Sequence, residues 1–169
     1  MRKKLEVSAI PSLSNSTLRK LPSDVKIPNY DRSNLTAGIV HIGLGNFHRA
    51  HQSWYLHRLM QQGKAHDWAI VGAGVKEFDK TQRIKLLAQD FLTTLIELSP
   101  GSRSVEIVGS MIDYVPIEAD NGALIAQMAK PEIKIVTLTV TEGGYYIDPV
   151  SKSFDSSHPD IVYDATHPE

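Results

Sequence analysis

Gly38-Ile-Val-His-Ile-Gly-Leu-Gly-Asn-Phe-His-Arg-Ala-His51 is the stretch that decides the fold. It begins as an apolar β-type run, with Ile39, Val40 and Ile42 around His41, and then turns on Gly43 and Gly45. A helical period follows at once: Phe47, Ala50, Trp54, Leu56 and Leu59 form an apolar face, with Arg49, Gln52 and Arg58 between them. Strand, glycine turn and helix in this order open a dinucleotide-binding βαβ unit. Gly43 is suited to the tight turn, and Gly45 to a close approach of backbone to a pyrophosphate. The helix starting near Asn46 would aim its free N–H groups and positive dipole end at that anion.

The G-x-G-x-x-G fingerprint is incomplete, because position 48 carries His48 in place of the third glycine. A G-x-G after a strand is also what a plain β–turn–α connection needs. The stretch alone therefore leaves nucleotide binding and simple chain reversal both open.

Working outward, the strand is expected over 39–43 and the helix over 46–62, with Gly63 as its stop. Trp68-Ala-Ile-Val71, followed by Gly72-Ala-Gly74, reads as a second strand whose end lies beside the glycine turn. A dinucleotide fold places an acid there to hold the adenosine ribose. Glu77 and Asp79 are the candidates, and both serve equally well as caps for a helix starting near Lys80. Asp79–Asp90 has helical composition. Phe91–Leu98 reads as a strand, Pro100-Gly101 as a turn, and Val105–Val108 and Met111–Val115 as one or two strands interrupted at Gly109. Ala119–Lys130 reads as a helix. Ile133–Val140 is apolar enough to be central in a parallel sheet, and Thr141-Glu-Gly-Gly144 follows at its C-terminal edge, where such folds bind ligands.

The flanks are less regular. Residues 1–37 read as a polar N-terminal arm, with a short helix at Ser14–Leu18 stopped by Pro22 and an extended run past Pro28 and Asp31. Tyr145–Glu169 is polar and carries Pro149, Pro159 and Pro168, and no closing helix is expected there. The fold class is thus α/β: a Rossmann-like domain over 38–169 with a mostly parallel sheet, left incomplete at its C-terminus.

Composition narrows the function. The 169 residues suit one domain with a real core, and 41% apolar content excludes disorder. Lys plus Arg (18) against Asp plus Glu (19) gives −1, which offers nothing to attract nucleic acid or an acidic membrane. With no cysteine, disulfides, thiolate metal sites and cysteine nucleophiles are excluded. Leu5–Leu13 is broken by Glu6, Ser8, Pro11 and Ser12, so no signal peptide is read and a cytoplasmic location is expected. No apolar run reaches membrane-spanning length.

Other chemistries find less support. His48 and His51 could share a helix face as metal ligands, but no carboxylate completes the set, so no metal site is expected. His41 is then a core residue, with His48 and His51 supporting the turn. Neither G-x-S-x-G nor G-x-x-x-x-G-K-[ST] occurs, which argues against a serine hydrolase and a phosphate-loop enzyme. Spacing leaves Glu142 open between catalytic acid and solvated loop residue.

Gly38–Gln52, Trp68–Val75 and Ile133–Tyr145, together with the leader Leu18–Pro22, Val25–Pro28 and Tyr30, resemble the polyol-specific long-chain dehydrogenases, the mannitol dehydrogenase family. The form G-x-G-x-F-H-R-A-H is far more specific than a bare G-x-G, and the family has His at the place of the third glycine. The resemblance implies NAD as cofactor and oxidation of mannitol to fructose by hydride transfer. A related enzyme such as a fructuronate reductase is the alternative. It also implies that Gly43, Gly45, Asn46 and Phe47 line the pyrophosphate turn, and that His48, Arg49 and Ala50 continue the same binding stretch. Asp79 is favoured over Glu77 as ribose acid, and Thr139–Gly144 would border the nicotinamide side. Family enzymes are longer, and a second, mostly helical domain holds their catalytic residues. No residue here matches those positions, so no catalytic residue is carried over. The expectation is a cofactor-binding half that does not turn over a polyol or ketose alone. A non-enzymatic remnant is the competing reading.

Overall fold

The computed structural model describes residues 12–140 and 142–168. The expectation that the N-terminus carries no signal peptide rests mainly on residues 1–11, which lie outside them. The chain divides into two compact units, one ending at Leu138 and one starting at Thr139.

The first unit is built on a four-stranded parallel sheet: β2 (Ala37–Ile42), β3 (Ala69–Ala73), β6 (Met111–Tyr114) and β7 (Ile135–Leu138), in the spatial order β6-β3-β2-β7. β1 (Val25–Lys26), β4 (Thr93–Ser99) and β5 (Ser102–Val108) form a second sheet, with β1 parallel and β4 antiparallel to β5. The helices are α1 (Asn46–Ala50), α2 (Gln52–Met60), α3 (Asp79–Leu87) and α4 (Gly122–Met128).

β2 and β3 are covered on both faces, as parallel strands require. On one face Ile39, Ile70 and Met111 pack with Leu56 and Met60 of α2 and Leu86 of α3. On the other, Val40, Val71 and Ala73 pack with Val115 and Leu124 of α4. Helix α2 buries Ser53, Leu56, His57 and Met60, the i, i+3, i+4, i+7 stripe of an amphipathic helix.

Four features differ from the expectations. The helix expected over 46–62 is broken at His51, whose φ of −120° and ψ of −86° are not helical, so two short helices meet there. The strand expected over 133–140 is shorter and lies at the sheet edge. Among the described residues β7 pairs with β2 alone, and Leu138 is 61% exposed. The tail expected to lack a helix contains α5 (Pro159–Thr166) in the second unit. There Pro159 occupies the first turn, where its missing N–H costs nothing, and the His158 ring accepts from the Asp160 amide. The short helix expected at Ser14–Leu18 is a 3-10 turn displaced to Leu18–Lys20.

The arm is tied into the fold. Arg32 donates to the carbonyls of Gly109 (2.9 Å), Asp90 (2.8 Å) and Met111 (2.6 Å), clamping the crossing from β5 to β6. Below it lies a buried polar cluster. Tyr30 donates to His57 Nδ1 (2.6 Å), which also accepts from the Gly109 amide (3.3 Å). With Nδ1 accepting, His57 carries its proton on Nε2, which faces Glu106 at 3.5 Å. Glu106 further accepts from the Trp54 indole (2.8 Å) and Arg58 (3.4 Å). Burial alone would raise the Glu106 carboxyl, but these donors outweigh it and hold it low.

Candidate functional site: the glycine turn after β2

β2 ends at Ile42 and the chain reverses through Gly43, whose φ of 91° is the left-handed conformation that glycine adopts without strain. The Gly43 amide donates to the Ala73 carbonyl (3.0 Å), which ties the turn to the end of β3. Gly45 is the N-cap of α1. The first intrahelical bond runs from the Arg49 amide to the Gly45 carbonyl (3.2 Å). The amides of Asn46, Phe47 and His48 thus precede the helix's own hydrogen bonds.

Gly45 is informative for what it does not need. Its φ of −70° is open to any residue, and a Cβ built there meets no atom within 4 Å. Neither backbone conformation nor packing within the described chain calls for glycine at this position.

Arg49 braces the turn from behind, donating to the Leu44 carbonyl and to Asn46 Oδ1. Its burial lowers the guanidinium pKa. Phe47 is 66% exposed and stacks on His51 with ring centres 4.3 Å apart. Ala50 is half-buried on the helix. His48 turns inward: it is 1% exposed, its ring lies 3.6 Å from that of His41, and its Nδ1 meets Gln52 Oε1 at 3.0 Å. Burial, then the neighbouring His41, pushes the His48 pKa down to about 3, and burial likewise lowers His41.

Asp79 opens α3, just past the loop that follows the adjacent strand β3. Its Oδ2 accepts from the amides of Val75 (3.2 Å) and Lys76 (3.0 Å), closing the loop after β3. A Cβ on Gly74 would lie 2.4 Å from the Asp79 Cβ and 2.6 Å from the Tyr114 hydroxyl, so this glycine is what admits both side chains. The Tyr114 hydroxyl is buried without a hydrogen-bond partner among the described residues, and burial, with the Asp79 charge, pushes its pKa up to about 12. Glu77, the other candidate acid, is exposed and pairs with Lys80 at 2.8 Å.

The structure thus gathers Gly43 and Gly45 in the turn and Asn46, Phe47, His48, Arg49 and Ala50 in the helix that follows it, with Asp79 at the start of α3 after the neighbouring strand. Thr139–Gly144, expected at the nicotinamide side, opens the second unit, and Thr141 and the Glu142 side chain lie outside the described residues. Among the described residues no three His, Cys, Asp or Glu side chains gather as metal ligands, and no helix is long and apolar enough to cross a membrane. Sequence reading missed Gln52, Thr137 and Tyr114. The first two were legible only as polar residues within apolar periods.

The model of the mannitol dehydrogenase Rossmann domain matches residues 37–167. The chain belongs to the mannitol dehydrogenase family. Among its relatives, the mannitol 2-dehydrogenase of Cereibacter sphaeroides is 59% identical over 141 residues, 83% of this chain and 29% of that protein. A mannitol dehydrogenase of Saccharomyces cerevisiae is 41% identical over 98% of this chain and 33% of its own length. The Pseudomonas fluorescens mannitol 2-dehydrogenase, solved as a ternary complex with NAD and D-mannitol, superposes with a TM-score of 0.79 at 42% identity, over 94% of this chain and 32% of that one. This family member therefore spans about a third of the length of the relatives it matches, and the matched third is a Rossmann domain.

Proposed function

We propose that this chain binds NAD(H) at the glycine turn and serves as the cofactor-binding part of an NAD-dependent mannitol 2-dehydrogenase. The observation that carries this reading is Gly45. A glycine that the described fold does not require, at the mouth of a turn whose amides precede the helix's own hydrogen bonds, is explained by a ligand that comes close to its backbone. The NAD complex of the Pseudomonas relative supports it.

In this reading the amides of Asn46 and Phe47 face the pyrophosphate, with Arg49 holding the turn in shape. Asp79 holds the adenosine ribose and disfavours a 2′-phosphate by charge. NAD, when bound, supplies the hydride acceptor for oxidation of the sugar alcohol. The reacting groups are assigned to no residue of this chain, and polyol or ketose binding is expected only together with a substrate domain of the kind the family carries. The cysteine-free, near-neutral composition fits work in the cytoplasm.

Quenching of protein fluorescence by NADH, with NADPH in parallel, tests the proposal. Saturable binding with NADH preferred by about tenfold or more, roughly 1.4 kcal/mol, supports it. Equal affinity, or no binding to a folded chain, contradicts it.

A further inference from the structure

The place of the missing third glycine is filled by a closed polar circuit. His41 on β2 faces Thr137 on β7 in register, and its Nδ1 lies 2.7 Å from the Thr137 hydroxyl. The Gln52 amide of α2 reaches the same hydroxyl at 3.4 Å through Nε2, and its Oε1 meets His48 Nδ1 on α1 at 3.0 Å. The His48 ring then lies flat on His41, at 3.6 Å and 13°, which closes the loop. Four side chains from four elements meet under one turn.

Donor and acceptor bookkeeping orients the His48 end of the circuit. The His41 ring bonds the Gly43 backbone in the sense that favours its protonated form, so the ring donates and the carbonyl accepts. His41 Nδ1 and the Thr137 hydroxyl share one hydrogen bond, in which either atom can donate according to the ring tautomer. The Thr137 hydroxyl lies 3.4 Å from both polar atoms of the Gln52 amide, placed to accept from Nε2 and to donate to Oε1, and Oε1 also accepts from His48 Nδ1–H. The path joins β2, β7, α2 and α1 directly beneath the glycine turn. Among the described residues His48 Nε2 has no partner, as expected of the remaining lone pair of a ring protonated on Nδ1.

In the full fingerprint the third glycine lets helix and strand approach closely, which fixes where the helix N-terminus points. His48 forbids that approach, and α1 alone, five residues long, has little stiffness of its own. We propose that the His41–His48 stack, locked by Gln52 and Thr137, replaces the third glycine as the device that positions the turn's amides for the cofactor. Gln52 and Thr137 are thus positioning residues for cofactor binding, on an α2 helix and an edge strand outside the motif. The inference rests on the cofactor reading of the turn.

The decisive variant is His48→Gly, which completes G-x-G-x-x-G in the sequence. A glycine that improved the fingerprint would strengthen NADH binding. The circuit requires instead a loss of about tenfold or more. Thr137→Val, nearly isosteric and half-buried on an edge strand, tests the same path where His48→Gly fails to fold. It is expected to weaken NADH about tenfold while melting close to wild type, and Thr137→Ser to restore binding. Long-range proton–nitrogen correlation spectra of the unliganded chain give an independent readout: His48 protonated on Nδ1. Undiminished NADH binding by His48→Gly and Thr137→Val beside a binding wild type, or a His48 proton on Nε2, overturns the circuit alone. A wild-type chain that binds no NADH overturns the cofactor reading and the proposal with it.

Discussion

Gly45 and Asp79 make separable predictions because one is idle in the fold and the other is not. Gly45→Val introduces a side chain into open space at an ordinary φ, so melting should stay within about 0.5 kcal/mol of wild type. NADH affinity should fall about a hundredfold, ~2.7 kcal/mol, by titration. Normal binding by the Gly45→Val protein would make the turn a connector only. Asp79 both bonds the loop after β3 and carries charge. Asp79→Asn keeps an acceptor for the loop amides and removes the charge. The expected result is a preference for NADH over NADPH narrowed about tenfold, with stability lowered by at most about 1 kcal/mol. Asp79→Ala should narrow it as much and cost more stability. Unchanged preference in both would place the ribose acid elsewhere.

At the scale of elements, α2 shows how burial fixes the scaffold behind the turn. Met60 is fully buried against both the sheet and α3, and Met60→Ala is expected to cost about 2–5 kcal/mol in denaturant unfolding. A smaller loss would show that the pocket collapses around it. The β2–turn–α1 junction is legible in the sequence because the apolar period switches from two to 3.6 across two glycines. Other elements are not, for physical reasons. The apolar period runs unbroken through His51, so nothing announces the break that separates α1 from α2. Ile135, Val136 and Leu138 tell of a strand that wants cover, but apolarity does not say on which edge its neighbours stand. Pro159 reads as a breaker, whereas after the His158 cap it starts α5. The circuit under the turn is invisible in the sequence because Gln52 and Thr137 lie far from His48 and His41 along the chain or across a helix break.

At the scale of the whole molecule, buried neutral histidines link stability to pH. His48 has its pKa depressed from 6.5 to about 3, and His41 and His57 are lowered by burial as well. Between the two values the unfolded chain binds the proton and the folded chain does not, so stability rises with pH there. The contribution is fully present above pH 6.5 and is lost as pH falls toward 3. The unfolding free energy from denaturant titrations should therefore fall steadily below pH 6.5, by up to about 1.4 kcal/mol per pH unit from His48. A flat profile down to pH 4 would mean that the rings are protonated in the folded state. The other molecular feature is the edge at β7, where Ile135, Val136 and Leu138 are all more than 40% exposed. Such an edge promotes association. Leu138→Lys is expected to reduce concentration-dependent light scattering without lowering the melting temperature, and equal scattering would move the association surface elsewhere.

The central claim is that cofactor binds at the glycine turn, and amide proton–nitrogen spectra of the chain titrated with NADH test it most directly. The account predicts saturable shifts concentrated at Gly43, Gly45, Asn46 and Phe47, with Val75 and Lys76 following through Asp79. Binding that shifts other amides and leaves these unchanged, or a folded chain whose spectrum NADH does not alter, would contradict it.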